Sequence, residues 1–172
     1  MRYRHILPFE TGQIFAQMFA FNEAEKMSAI IQKANTPIPL RHLIVTLRYT
    51  DWWWWEQNSP LRLDTQIMPN FQLPLSLEKF TMEFETRQGN QDQLDALIRQ
   101  NVSKWGKSAE DGKKWAMSPS SPRSRSYIGT DTPGGQAYAH HHKDYNPPPK
   151  GMPEPGQDEM YYYAVTVDFV KV

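Results

Sequence analysis

Two stretches of the chain, LRHLIVTL from Leu40 and LEKFTMEF from Leu77, place their apolar residues at the same intervals. Leu40, Leu43, Val45 and Leu47 align with Leu77, Phe80, Met82 and Phe84. Successive residues of a strand point to opposite faces. Each stretch therefore reads as a strand with one apolar side, and Ile44, Thr46 and Arg48 in the first, or Thr81, Glu83 and Glu85 in the second, take the side toward water. The spacing matches the strand of a leucine-rich-repeat-like unit, in which strands stack in parallel and helices cover one side. The Asn or Cys that usually follows such a strand is absent, since Tyr49 and Thr86 stand after the two copies. Two copies are also fewer than a solenoid needs, so a capping fragment and two ordinary strands of an α/β sheet are alternative readings.

Helical periodicity flanks the pair. Asn22 and Glu25 form a capping pattern before Ala24, Met27, Ile30, Ile31 and Ala34, and the break at TPIP ends that helix near Asn35. Downstream, Asn90 or Asp92 caps a second helix that carries Leu94, Leu97, Ile98, Val102 and Trp105, with Gly106 as its terminator. The last run, YYYAVTVDFVKV, alternates Tyr161, Tyr163, Val165, Val167 and Phe169 and predicts a closing strand. Between them, residues 106–160 hold seven of the nine glycines and eight of the fourteen prolines. So few apolar residues remain there that the segment predicts a long, irregular, flexible insertion. The expected fold is a single α/β domain over 1–172: a small, mostly parallel sheet of three or more strands with helices on one side, interrupted by that insertion.

Charge narrows the function classes. Lys plus Arg and Asp plus Glu each number 19, giving a formal net charge of zero, so no long-range field favours nucleic acid or an anionic membrane. No window approaches the ~20 apolar residues of a membrane span. The N-terminal MRYRHILPFETGQIFAQMFAF is interrupted by Pro8, Glu10, Thr11 and Gln13, which disfavours a signal peptide. The chain has no cysteine, which removes disulfides and thiolate chemistry and fits a reducing compartment. A cytoplasmic or nuclear protein that binds neither nucleic acid nor membrane is expected.

The most unusual stretch is DWWWW, Trp52, Trp53, Trp54 and Trp55 behind Asp51. Each indole offers on the order of 150–250 Å² of burial, worth roughly 4–6 kcal/mol as an upper bound. Four adjacent rings fan to different sides in a strand or a helical turn, so one core cannot take them all. The insertion could cover the remainder; alternatively they form, with Tyr49, an aromatic anchor for a partner or a stacking platform for a sugar. His140, His142 and Asp144, spaced by two, could share a strand face and form a weak metal site, against the plainer reading of solvated histidines. No nucleophile-elbow or phosphate-loop motif is present, and Gly134 and Gly135 read as a turn. Glu83 and Glu85 imitate a carboxylate pair but suit a solvated stripe. PSSPRSRS sets serines among arginines and is a candidate for phosphorylation.

Through RHLIVTLRYTDWWWWE, PLSLEKFTMEFETRQGNQDQLDALI, YIGTDTPGGQAYAHH and YYYAVTVDF, the chain resembles a family of uncharacterised filamentous-fungal proteins, some of them F-box-like or leucine-rich-repeat-like. The resemblance covers roughly residues 40–172 and is most distinctive over residues 49–56. It implies no activity, and no F-box pattern lies in the first 40 residues. Together these features predict a non-enzymatic protein-interaction module without a cofactor, acting through Tyr49 and Trp52 to Trp55 on a protein partner that the sequence does not name. The competing expectation is a small-molecule or carbohydrate-binding protein, or a degenerate enzyme, with the same platform beside the histidines.

Overall fold

A computed structural model describes residues 10–18, 23–34, 39–57, 59–63, 72–108, 112–130, 151 and 159–172. The strands are β1 (Thr11–Phe15), β2 (His42–Leu47), β3 (Lys79–Arg87), β4 (Lys107–Ser108), β5 (Lys114–Met117), β6 (Arg123–Thr130) and β7 (Glu159–Lys171). Helix α1 (Ala24–Ala34) joins β1 to β2, and α2 (Gln91–Gln100) follows β3. The strands form one seven-stranded sheet in the order β1-β2-β3-β7-β5-β4, with β6 also paired to β7.

The aligned apolar positions become rungs of the core. β2 and β3 pair in parallel with Leu43 opposite Phe80, Val45 opposite Met82 and Leu47 opposite Phe84. β7 runs antiparallel to β3 and extends the same rungs with Phe169, Val167 and Val165. All nine side chains are buried. Met27 and Ile31 of α1, one helical turn apart, join this cluster together with Leu94 and Ile98 of α2, so both helices cover the same sheet face. Opposite charges suit each helix end, with Glu25 and Asp92 in the first turns and Lys33 and Arg99 in the last. Ile30, expected among the inward positions of α1, is half exposed.

Three expectations need correction. The sheet is mixed, not mostly parallel: β1-β2 and β2-β3 are parallel, whereas β3-β7, β6-β7, β5-β7 and β4-β5 are antiparallel. Because an antiparallel β7 follows β3, no leucine-rich-repeat arrangement exists among the described residues. Nor is the start of the segment at residues 106–160 irregular, since β4, β5 and β6 lie within 107–130. β6 carries no alternating apolar pattern, since most of its residues are polar, and its place is set by backbone pairing with β7 over Arg123 to Thr130. The segment's last two residues, Glu159 and Met160, already belong to β7, and of residues 131–158 only Gly151 is described. Finally, α2 stops at Gln100, and a 3₁₀ turn, Val102–Lys104, delivers Val102 and Trp105 to the core. Trp105 stacks on Phe169 with ring centroids 6.3 Å apart.

β7 is the spine. It spans 13 residues, with β3 along one edge and β6 then β5 along the other. In the gap between β6 and β5, the turn at residues 118–122 supplies the missing backbone partners. Ser118 N donates to Asp168 O at 2.8 Å, and Asp168 N donates to Ser121 Oγ at 2.8 Å.

Candidate functional site

The tryptophan run begins where β2 ends. Asp51 folds back so that its carboxylate accepts from Arg48 N at 2.9 Å and Arg48 Nε at 3.3 Å, closing a 3₁₀ turn over Tyr49–Asp51. Glu85 of β3 holds the turn from below, with its side chain accepting from Tyr49 N at 3.1 Å and its carbonyl accepting from Trp52 Nε1 at 2.7 Å. Trp52 is therefore a core residue, 3 % exposed and packed at 6.4 Å from Phe84. Its indole N–H finds a partner on the way in, as a buried polar group requires.

After Trp52 the chain reverses. Trp54 sits at φ 57°, in the left-handed region that a side chain with a Cβ disfavours. Its carbonyl accepts from Gln57 N at 3.0 Å and Ser59 N at 3.3 Å, which fixes the reversal and starts a second 3₁₀ turn, Trp55–Gln57. Trp55 then packs edge-on to the buried Tyr49 at 5.3 Å. Trp53 and Trp54 are left outside, 39 % and 59 % exposed, with ring centroids 6.3 Å apart and planes inclined by 38°. A shallow groove of about 250 Å³ lies between this tip and Gln17 and Met18, floored by Thr50, Asp51 and Trp52. It opens beyond the carboxyl ends of parallel strands, where ligand crevices of α/β sheets form. Phe15, at the end of β1, is also exposed at 57 % and lies under the Arg48 guanidinium at 5.2 Å.

A second polar cluster occupies the sheet face that the helices leave open. Asp168, only 4 % exposed, accepts from Thr81 Oγ1 at 2.7 Å and pairs with Lys79 Nζ at 3.1 Å and Arg123 Nη2 at 2.8 Å. Burial alone would raise the Asp168 carboxyl, but the hydrogen bonds from Thr81 and Lys79 and the charges of Lys79 and Arg123 outweigh it and hold it below its ordinary value. His42 Nε2 lies 2.8 Å from Thr81 Oγ1. Since the hydroxyl gives its proton to Asp168, that ring nitrogen is the donor. Burial and the Lys79 charge lower the His42 pKa against the opposing pull of Asp168, which favours the neutral ring. His42, Thr81 and Asp168 thus tie β2, β3 and β7 together. The hydroxyl is buried and its proton is committed to the carboxylate, which is not the geometry of an activated nucleophile.

The same face shows why Glu83 and Glu85 are not a solvated stripe. Glu83 pairs with Arg125 at 3.5 Å, and Glu85 accepts from the Tyr127 hydroxyl as well as from Tyr49 N. Burial, followed by the Glu85 hydrogen bond and charge, pushes the Tyr127 hydroxyl well above the usual phenol range. The two carboxylates have separate partners. Around them, His42, Ile44, Lys79, Arg123, Arg125 and Thr166 border a shallow depression of about 370 Å³.

Of the five residues expected to form the aromatic surface, Tyr49 and Trp52 are buried, Trp55 is half-buried, and Trp53 and Trp54 are exposed. His140, His142 and Asp144 lie outside the described residues, and the described residues contain no group of three or more His, Cys, Asp or Glu placed to hold a metal. Gln17 and Met18 border the tip without a sequence signal, because only the pairing of β1 with β2 brings them there. No helix among the described residues is long and apolar enough to cross a membrane. No family model matches the chain, and neither does any curated protein or solved structure.

Proposed function

We propose that this chain is a protein-interaction module whose docking surface is the tip formed by Trp53 and Trp54, with Gln17 and Met18 at its border. The observation that carries the reading is the division of the run. Trp52 and Trp55 are used as packing on either side, and the backbone of Trp54 is held in a disfavoured conformation that keeps two large rings outward. Exposed aromatics on a rigid support are the usual anchors of protein interfaces. A partner would bury apolar area that the fold leaves in water, without having to order the loop first. A cytoplasmic or nuclear location, which the lack of cysteine fits, belongs to the same proposal.

A photoreactive phenylalanine analogue at position 54 tests it. A discrete crosslinked protein is expected from an extract of the source cells, lost when Trp53 is changed to Ala and absent when the analogue is placed at Val172 instead. The Trp53→Ala, Trp54→Ala double variant should keep its circular dichroism spectrum and melting profile. If it unfolds, the exposed rings are structural and the reading falls; if crosslinking from position 54 yields no discrete protein, it falls equally.

A further inference from the structure

We infer that the open face of the sheet binds a phosphate monoester, in the depression of about 370 Å³ bordered by Lys79, Arg123 and Arg125. The depression shares no lining residue with the groove at the tryptophan tip, so this site is separate from the docking surface proposed above. Every residue around it is among those described. Its shape follows from the register. Glu83, Thr166 and Arg123 stand on one rung, and Glu85, Ala164 and Arg125 on the next. The short Thr166 side chain leaves a hollow along β7, between Lys79 and Glu83 of β3 and the two arginines of β6. Each arginine bypasses the carboxylate on its own rung and reaches one rung over, Arg123 to Asp168 and Arg125 to Glu83.

The charges around the hollow do not balance, because Lys79, Arg123 and Arg125 face only two carboxylates, Asp168 and Glu83. Asp168 needs one counter-charge and has two: Lys79 Nζ lies 3.1 Å from Oδ1 and Arg123 Nη2 lies 2.8 Å from Oδ2. Buried and tied to Thr81, this carboxylate is a fixed post that holds two cations side by side. Arg125 is placed from the other side. Its guanidinium lies over the Tyr127 ring at 5.3 Å and meets Glu83 at 3.5 Å, longer than a charge-assisted hydrogen bond. Donors are therefore left over. A guanidinium carries five, and Arg123 commits one Nη2 donor to Asp168. The Thr166 hydroxyl is not engaged within the described residues. A phosphate monoester brings three terminal oxygens and a charge of about −1.5 to −2, so it can accept from each arginine fork and from the ammonium while neutralising the surplus. A carboxylate, with two oxygens, leaves one cation unmatched.

The test is a titration of the full chain with glycerol 3-phosphate and with an alanine-flanked phosphoserine peptide, at physiological ionic strength, where loose attraction between exposed charges is screened. Binding is read on the arginine Nε–H resonances, which Arg123→Lys and Arg125→Lys assign. Saturable shifts of both are expected. Arg125→Gln should weaken binding roughly tenfold or more, the scale of hydrogen bonds to a charged group. That change leaves Asp168 with both of its cations, so the fold should stand, and Arg125→Lys, which keeps the charge and loses the fork, should weaken binding by less. Sodium acetate should not saturate. Shifts that never saturate, equal affinity in both Arg125 variants and the wild type, or acetate binding as tightly as the esters overturns the inference. So does tighter binding of oligothymidylate, whose diester phosphates carry one charge each, since the face would then serve nucleic acid. A peptide that binds more tightly than glycerol 3-phosphate assigns the ester to a modified protein, and equal affinities assign it to a small phosphorylated metabolite; either result supports the site.

Discussion

The two faces of the sheet are built from the same three central strands and hold together by different means. Beneath the helices, each rung from β2 through β3 to β7 is apolar, as in Leu47, Phe84 and Val165. On the open face, Asp168 gathers Thr81, Lys79 and Arg123, and Glu85 gathers Tyr49 and Tyr127. The first face excludes water with hydrocarbon. The second does so with partly exposed cations, whose stems lie over groups buried as deeply as Thr81 and Asp168. A sheet face without a helix layer can therefore still be closed, provided that every buried polar group has a partner.

The comparison breaks most directly at Phe84. Changing it to Ala removes a ring that touches Trp52 and Trp105 and should cost about 3–5 kcal/mol of unfolding free energy, measured by urea denaturation. Asp168→Ala should cost less, about 1–3 kcal/mol, because the cations it releases can turn to solvent. Equal losses would mean that the open face is as critical to the fold as the core.

The pH dependence sharpens the same contrast, because His42, Asp168, Tyr127 and Tyr163 all have shifted titrations and only Tyr163 belongs to the covered side. His42 is lowered in the fold, so the unfolded chain takes up a proton first as pH falls below about 6.5, and stability declines from there. Asp168 is also lowered, so a further decline sets in below about 3.8. Tyr127 and Tyr163 are raised, each first by burial, so the unfolded chain loses its protons first above about 10 and stability declines on that side too. Urea midpoints measured from pH 4.5 to 7.5 should fall toward acid in the wild type and flatten in His42→Gln. An unchanged slope in that variant would remove His42 from the account.

Much of the covered face was legible. The shared spacing of Leu43, Val45 and Leu47 with Phe80, Met82 and Phe84 is the observed register of β2 on β3, because burial on one side leaves a period of two in the sequence. The open face left no such trace: Thr81 and Asp168 look like surface residues until β7 is laid beside β3. β1 and β6 leave little trace for a related reason, since edge strands depend on backbone pairing with a neighbour and need little hydrocarbon. The tryptophan run announced that four rings must part company. Which two go inward depends on Glu85, 33 residues beyond Trp52, and on a backbone reversal at Trp54 that no residue type in DWWWW foretells.

That reversal gives the smallest expected effect and the closest test of where the tip belongs. Trp54→Gly removes an exposed ring and relieves a left-handed backbone worth roughly 1–2 kcal/mol of strain, while glycine adds about 0.5–1 kcal/mol of unfolded-chain entropy. The two terms oppose each other, so the urea midpoint should move by less than the equivalent of about 1 kcal/mol, toward greater stability if at all. Trp55, packed on Tyr49, provides the contrast, and its change to Ala should destabilise visibly. If Trp54→Gly proved as damaging as Trp55→Ala, the exposed ring would be contributing packing, and the tip would have to be counted with the covered core as a structural element.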